Sequence, residues 1–420
     1  MEPADPSLRR PIGPDADRRR FLKRGLALGA ALATTGRAAN AASQQVPADS
    51  SKALGRHMIP YTERSPFEQA GKVKGPPTMP DEWGANFTPL GESVGIITPS
   101  SLFYEVNRSG VAEIDPRKHR LLIHGMVDRP VMLTIEEIKR LPSVSRIYFL
   151  ECSGNTQTEW EAPAVPTVQF THGLTSCAEW TGVPLSLLLR EVGVRKGATW
   201  VLAEGADGSG NERSLPLAKA MDDIIVAYGQ NGEALRPENG YPLRLVVPGW
   251  EGNVSVKWLR RLTVTDRPYM TRIEAVDHTS LMPGGKARRF MFVMDAKSVI
   301  TFPSGGQRLP GPGTYEITGL AWSGRGRVRR VDFSSDGGKT WRAANLQEPI
   351  LPFAHTRFRS SWRWDGREVL LQSRCIDEIG YVQPTLAALV KVRGVNSTYH
   401  NNAIQTWKVT TDGSVHNARA

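Results

Sequence analysis

The 420-residue sequence has only three cysteines, Cys152, Cys177 and Cys375. So low and odd a count excludes a disulfide scaffold, and there is no CxxC pair or CxxCH haem-attachment motif. The eight histidines form neither HExxH nor HxxxH, which removes the zinc sites those spacings build. No stretch approaches ~20 uninterrupted apolar residues, so no transmembrane helix is expected. There is no internal repeat. In quantity the chain has 40 Gly, 30 Pro and 11 Trp, which favour turns and short strands over a helical bundle. The apolar share of 40% and charged share of 23% are those of a folded globular protein, which excludes a disordered or collagen-like chain. The length exceeds one domain of roughly 100–200 residues, so two domains and a targeting segment are expected.

The net charge of +11 is uneven. Residues 1–41 hold eight Lys/Arg against four Asp/Glu, and the rest holds 45 against 38. Arg325, Arg327, Arg329 and Arg330 are scattered through strand-like sequence with no nucleic-acid module, so no nucleic-acid partner is expected. At the N-terminus, Arg18-Arg19-Arg20-Phe21-Leu22-Lys23 precedes a mild apolar run from Gly25 to Ala33 and a small-residue site at Ala39-Asn40-Ala41. That order predicts a twin-arginine signal peptide over 1–41 and a periplasmic location. Because this route carries folded proteins, it suits a chain loaded with cofactor before export. Residues 42–90, rich in Pro, Gly and polar residues, read as an extended arm.

From 91 to 280 helical and strand patterns mix without strict βαβ alternation, which predicts an α+β domain. Thr134-Ile135-Glu136-Glu137 has capping-box spacing and opens a helix. Pro184–Val192 is an amphipathic helix stopped by Gly193. Asn231-Gly232 marks a tight hairpin turn. From 285 to 413 the pattern is nearly all β. Phe358, Ser360, Trp362 and Trp364 alternate onto one face, and an immunoglobulin-like sandwich is expected, with Cys375 in its core.

One stretch points to chemistry. Tyr148-Phe149-Leu150-Glu151-Cys152-Ser153-Gly154-Asn155 is a strand that delivers a cysteine to a Gly-containing turn, where backbone can approach a ligand closely. Downstream, Arg244 and Lys257 flank Val247-Pro248-Gly249-Trp250, a pairing suited to gripping an anion. The alternatives are a structural cysteine and ordinary surface charge.

With Glu151-Cys152-Ser153-Gly154-Asn155, Tyr241-Pro242-Leu243-Arg244-Leu245-Val246-Val247-Pro248-Gly249 and Val256-Lys257-Trp258-Leu259, the sequence resembles the sulfite oxidase family of molybdenum enzymes. Gly319-Leu320-Ala321-Trp322-Ser323-Gly324 and Asp336-Gly337-Gly338-Lys339-Thr340-Trp341 resemble that family's dimerisation domain. The segments 171–182 and 377–385 are similar to the molybdenum subunits of sulfane dehydrogenases within the family. The resemblance implies a molybdenum–molybdopterin cofactor with Cys152 as the protein thiolate on the metal, a soft ligand for a transition metal. It implies cofactor contacts from Asn107, Asp207, Asn239, Arg244, Ser255, Val256 and Lys257, and it puts His278 where the family has its active-site tyrosine. Two substrate-binding arginines of the family fall at Val106 and Gln157, which carry no charge.

The implied activity is two-electron oxo transfer to sulfur. On this reading the protein is a sulfane dehydrogenase subunit acting on sulfur borne by a carrier protein. The implied partners are a cytochrome c electron acceptor and a second copy of the chain. The alternatives are a sulfite dehydrogenase acting on free sulfite, a protein-methionine-sulfoxide reductase, whose relatives lack the second β domain, and a non-catalytic subunit that kept the fold.

Overall fold

Antiparallel pairing dominates the first half, as expected where strands follow one another without regular helical crossovers. The computed structural model describes residues 58, 60, 64–75 and 84–420. The expected signal peptide and cleavage site lie outside the described residues, as does most of the expected arm. Val73–Lys74 and Gly84–Phe87 pair in a three-stranded sheet with Glu105–Asn107.

Two larger sheets carry the first half. In one, Val144–Glu151 pairs with Thr175–Pro184, which pairs with Ile225–Gln230; that strand also holds Arg244–Val246. In the other, Leu259–Thr265 lies parallel to Arg120–Gly125 and antiparallel to Trp200–Gly205. This mixture makes the half α+β rather than doubly wound. Leu121, Ile123, Val183, Leu188, Val201, Leu245 and Leu262 fill one buried core with the helix Leu185–Val192. The local signals hold. Thr134 and Glu137 form the reciprocal capping box of the helix Ile135–Lys139, and Gly193 ends Leu185–Val192 at φ +69°. Asn231 and Gly232 both take positive φ and connect Ile225–Gln230 to Glu233–Ala234, as a two-residue hairpin turn of the primed kind requires.

The second half is a sandwich of a four-stranded and a five-stranded sheet. In Thr356–Trp364 the side chains of Phe358, Ser360, Trp362 and Trp364 point inward, while Ser361 and Arg363 point out. Trp322, Trp362, Trp364, Trp407, Phe333 and Cys375 make the core. That core does not stop at the sandwich. Leu90, Phe149, Val168 and Cys177 belong to the same cluster, and Phe149 donates its backbone N–H to Phe353 O at 2.8 Å. The strand leading to Cys152 is thus packed against both halves. Among the described residues no helix is long and apolar enough to cross a membrane.

Candidate active site

The strand Val144–Glu151 ends at full burial, and the chain then turns through Cys152-Ser153-Gly154-Asn155. Asn155 closes the turn by donating its N–H to Cys152 O at 2.9 Å. Its side chain donates to Glu151 Oε1 (2.9 Å) and accepts from Leu174 N (3.1 Å). A Cβ at Gly154 would sit 2.7 Å from Gln157 Oε1, which would have to move, and 3.8 Å from Cys152 Sγ.

Cys152 opens onto a cavity of about 260 Å³. Asn107, Asp207, Asn239, Arg244, Ser255, Lys257 and His278 line the same cavity. Val256 does not. Its side chain is fully buried in the core, and its contribution to this segment is a carbonyl that accepts from Leu245 N. The segment is a bend before the strand Leu259–Thr265, and it turns Ser255, Lys257 and Trp258 to the cavity and Val256 to the core.

One end of the cavity is electrostatically unfinished. Arg244 is 4% exposed and donates only to carbonyls, those of Asn239, Leu245 and Ser255. Burial pushes its pKa down to about 10. Lys257 donates to Val106 O, Glu238 O and the Asn107 side chain. Burial, with the Arg244 charge beside it, holds Lys257 at about 7. Neither cation has a carboxylate within salt-bridge distance. Between them Gly240, at φ +107°, leaves no room for a side chain, since a Cβ would come within 3.1–3.2 Å of both. Among the described residues Asp207 Oδ1 is buried with no partner. A buried arginine and a half-buried lysine with no directly paired carboxylate, and one orphaned carboxylate oxygen, ask for a ligand with an anionic end and N–H donors. A molybdopterin has both, so the residues present fit it, with the Cys152 thiol in the same cavity for the metal. Without a metal, burial lifts that thiol to about 11. Cys177 and Cys375 are fully buried in the core and hold no such position.

Val106 and Gln157 also line the cavity and carry no charge of their own, although the Lys257 ammonium reaches Val106 O at 3.3 Å. Arg108 lines it too, with its guanidinium ion-paired to Asp277. His278 follows the π-helical turn Ile273–Asp277. The Asn253 side-chain amide and the Ser153 hydroxyl lie 3.2 and 3.4 Å from His278 Nδ1. Burial depresses this imidazole to about 4, so it is uncharged at neutral pH. Tyr399, from the second half, stacks on it with ring centroids 5.2 Å apart.

Two buried carboxylates tie this turn to its surroundings. Glu151 pairs with Lys297 at 2.6 Å and accepts from Trp322 Nε1 at 2.7 Å, both from the second half. Glu251 pairs with Arg213 at 2.7 Å and with His400 Nε2 at 3.3 Å. Burial would raise the Glu251 carboxyl, but the His400 hydrogen bond and the Arg213 charge outweigh it and hold it at about 2. Sequence reasoning finds none of Tyr399, His400, Lys297, Glu251 or Arg213. Their contacts span more than a hundred residues in most cases, and only the polar run Tyr399-His400-Asn401-Asn402 hints that something other than a core strand lies there.

The comparisons with known proteins agree with this geometry. Residues 108–273 match the oxidoreductase molybdopterin binding domain, and residues 288–407 match the Mo-co oxidoreductase dimerisation domain. Chicken sulfite oxidase is 31% identical over 328 residues, covering 72% of this chain and 71% of that one. The chain belongs to the sulfite oxidase family. With the family come its oxidoreductase molybdopterin binding domain and its molybdenum–molybdopterin cofactor. The mitochondrial sulfite oxidase of Mus musculus is 31% identical over 344 residues. The NADH nitrate reductase of Solanum lycopersicum is 34% identical over 303. The chain spans 62% of the mouse relative's length and 33% of the tomato one's. Among solved structures, the sulfane dehydrogenase SoxCD from Paracoccus pantotrophus matches with a TM-score of 0.80 and 45% identity, covering 92% of this chain and 96% of that one.

Proposed function

We propose that this member of the sulfite oxidase family is the molybdenum subunit of a sulfane dehydrogenase, oxidising sulfur borne on a thiol carrier rather than free sulfite. The observation that carries the reading is that the two lining positions where the family's substrate-binding arginines fall, 106 and 157, bear no charge here. A site for the small sulfite dianion presents fixed cations. Here Val106 and Gln157 carry none, Arg108 is neutralised by Asp277, and His278 is uncharged. Each missing charge-assisted hydrogen bond is worth roughly 1.5–3 kcal/mol. A thiol-borne sulfur recovers affinity through contacts remote from the reacting atom.

When bound, the cofactor supplies a two-electron oxo-transfer centre. Cys152 would hold the metal. Arg244 and Lys257 would hold the cofactor's anionic end, and Ser255, Asn107 and Asn239 would shape that end. Asp207 would accept its N–H groups. His278, uncharged and lining the cavity, would orient the sulfur and exchange a proton with it. The chain has no haem motif, so electrons pass to a cytochrome c partner. The second half would serve self-association, most simply as a C2 dimer, and light scattering of the purified protein tests this by mass. Export by the twin-arginine signal would put the enzyme in the periplasm. The deciding assay compares specificity constants for glutathione persulfide and for sulfite, with ferricyanide as acceptor. A higher constant for sulfite would overturn the substrate assignment and leave a conventional sulfite dehydrogenase.

A further inference from the structure

His400 is a buried non-glycine residue in the left-handed region, at φ +59° and 4% exposure. Such a conformation is costly for a bulky side chain and persists where surrounding contacts enforce it. Those contacts all run to the Cys152 turn and its neighbours. His400 donates its N–H to Ser153 O at 2.9 Å. Asn401 Nδ2 donates to Thr156 O at 3.3 Å, and Trp160 Nε1 donates to Thr398 O at 3.2 Å. The His400 ring reaches Glu251, itself 3% exposed and fixed by Arg213. The backbone of Glu251 in turn bridges to that of Glu151, one residue before the thiol. Between these anchored neighbours, Tyr399 stacks on the His278 ring and lines the cavity.

We infer that Glu251 and His400 are positioning residues that seat Tyr399 on His278, and that the stacked pair forms a wall contributed by both halves of the chain which limits access to Cys152. Tyr399 is then a specificity-determining residue of the sulfur slot. His400 acts through it without touching substrate. The second half thereby completes the active site as well as serving association.

The inference does not depend on which sulfur compound is oxidised, so its deciding readout uses no substrate. In full-length protein purified without cofactor, iodoacetamide at pH 8.5 reads access to Cys152, because Cys177 and Cys375 are fully buried. His400→Asn tolerates the left-handed backbone but is too short to reach Glu251. His400→Gln can still reach Glu251 and donate to it. Tyr399→Leu removes the stacked ring. We expect Cys152 alkylation at least tenfold faster in His400→Asn and in Tyr399→Leu, and close to wild type in His400→Gln. In loaded enzyme His400→Asn should change KM for glutathione persulfide more than kcat. An unchanged alkylation rate in His400→Asn overturns the inference. So does a faster rate accompanied by labelling of Cys177 and Cys375, which would mean general unfolding.

Discussion

Replacing Lys297 with methionine tests how firmly the second half holds the cysteine turn. The pair it forms with Glu151 is 2.6 Å long, and the two side chains are 1% and 0% exposed. Water therefore does not screen it, and the figure of about 0–1 kcal/mol for surface pairs does not apply. Removing one partner of a buried pair costs about 3–5 kcal/mol, because the other charge is left uncompensated. Asn155 Nδ2 and Trp322 Nε1 still donate to the stranded carboxylate, so the expected loss in Lys297→Met is near the lower limit, about 3 kcal/mol. Glu151→Gln combined with Lys297→Met removes both charges while keeping the shape. It should lose less than half as much, because replacing both members of a buried pair is often nearly neutral. Urea denaturation followed by tryptophan fluorescence reads the midpoints. Trp322 reports on the site directly, since it donates to the same carboxylate. A loss below about 1 kcal/mol in Lys297→Met, or a double variant whose loss equals the sum of the singles, would refute the reasoning.

Three further outcomes are expected. Gln157→Arg returns a cation to an uncharged position of the cavity lining and should raise the specificity constant for sulfite about tenfold or more, the equivalent of one charge-assisted hydrogen bond; steady-state kinetics with no gain would count against the electrostatic account. Lys257 is held at about 7, below its ordinary 10.5, so the unfolded chain binds a proton there that the folded chain has released. The thermal midpoint of cofactor-free protein should therefore rise between pH 7 and about 10 through this group, and the rise should shrink in Lys257→Met. Lysine at both Arg18 and Arg19 should leave precursor in the cytoplasm still carrying molybdenum, and normal periplasmic levels on fractionation would refute the export reading.

The fold was legible where it rests on local signals. The Thr134 capping box, the Asn231-Gly232 turn and the alternation along Phe358–Trp364 each depend on a few consecutive residues, and the structure repeats them. The cavity lining was legible for a similar reason: Cys152, Arg244 and Lys257 stand at strand ends and turns that sequence marks with Gly and Pro. Val256 shows the limit of reading a segment as a unit, because the bend there turns its side chain into the core. Two things had no local signature. One is that Phe149 and Cys177 share a core with the sandwich tryptophans, which depends on two distant halves meeting. The other is the wall made by Tyr399 and the buried pairs of Glu151 and Glu251. A charged side chain looks the same in sequence whether it faces water or a partner 146 residues away.

The central claim is that Cys152 holds the metal in this cavity. X-ray absorption at the molybdenum edge of the purified, loaded protein counts sulfur neighbours directly. The account predicts one sulfur neighbour fewer in Cys152→Ser than in the native protein, with Cys177→Ser and Cys375→Ser unchanged from native. An identical sulfur count in native protein and Cys152→Ser would contradict it.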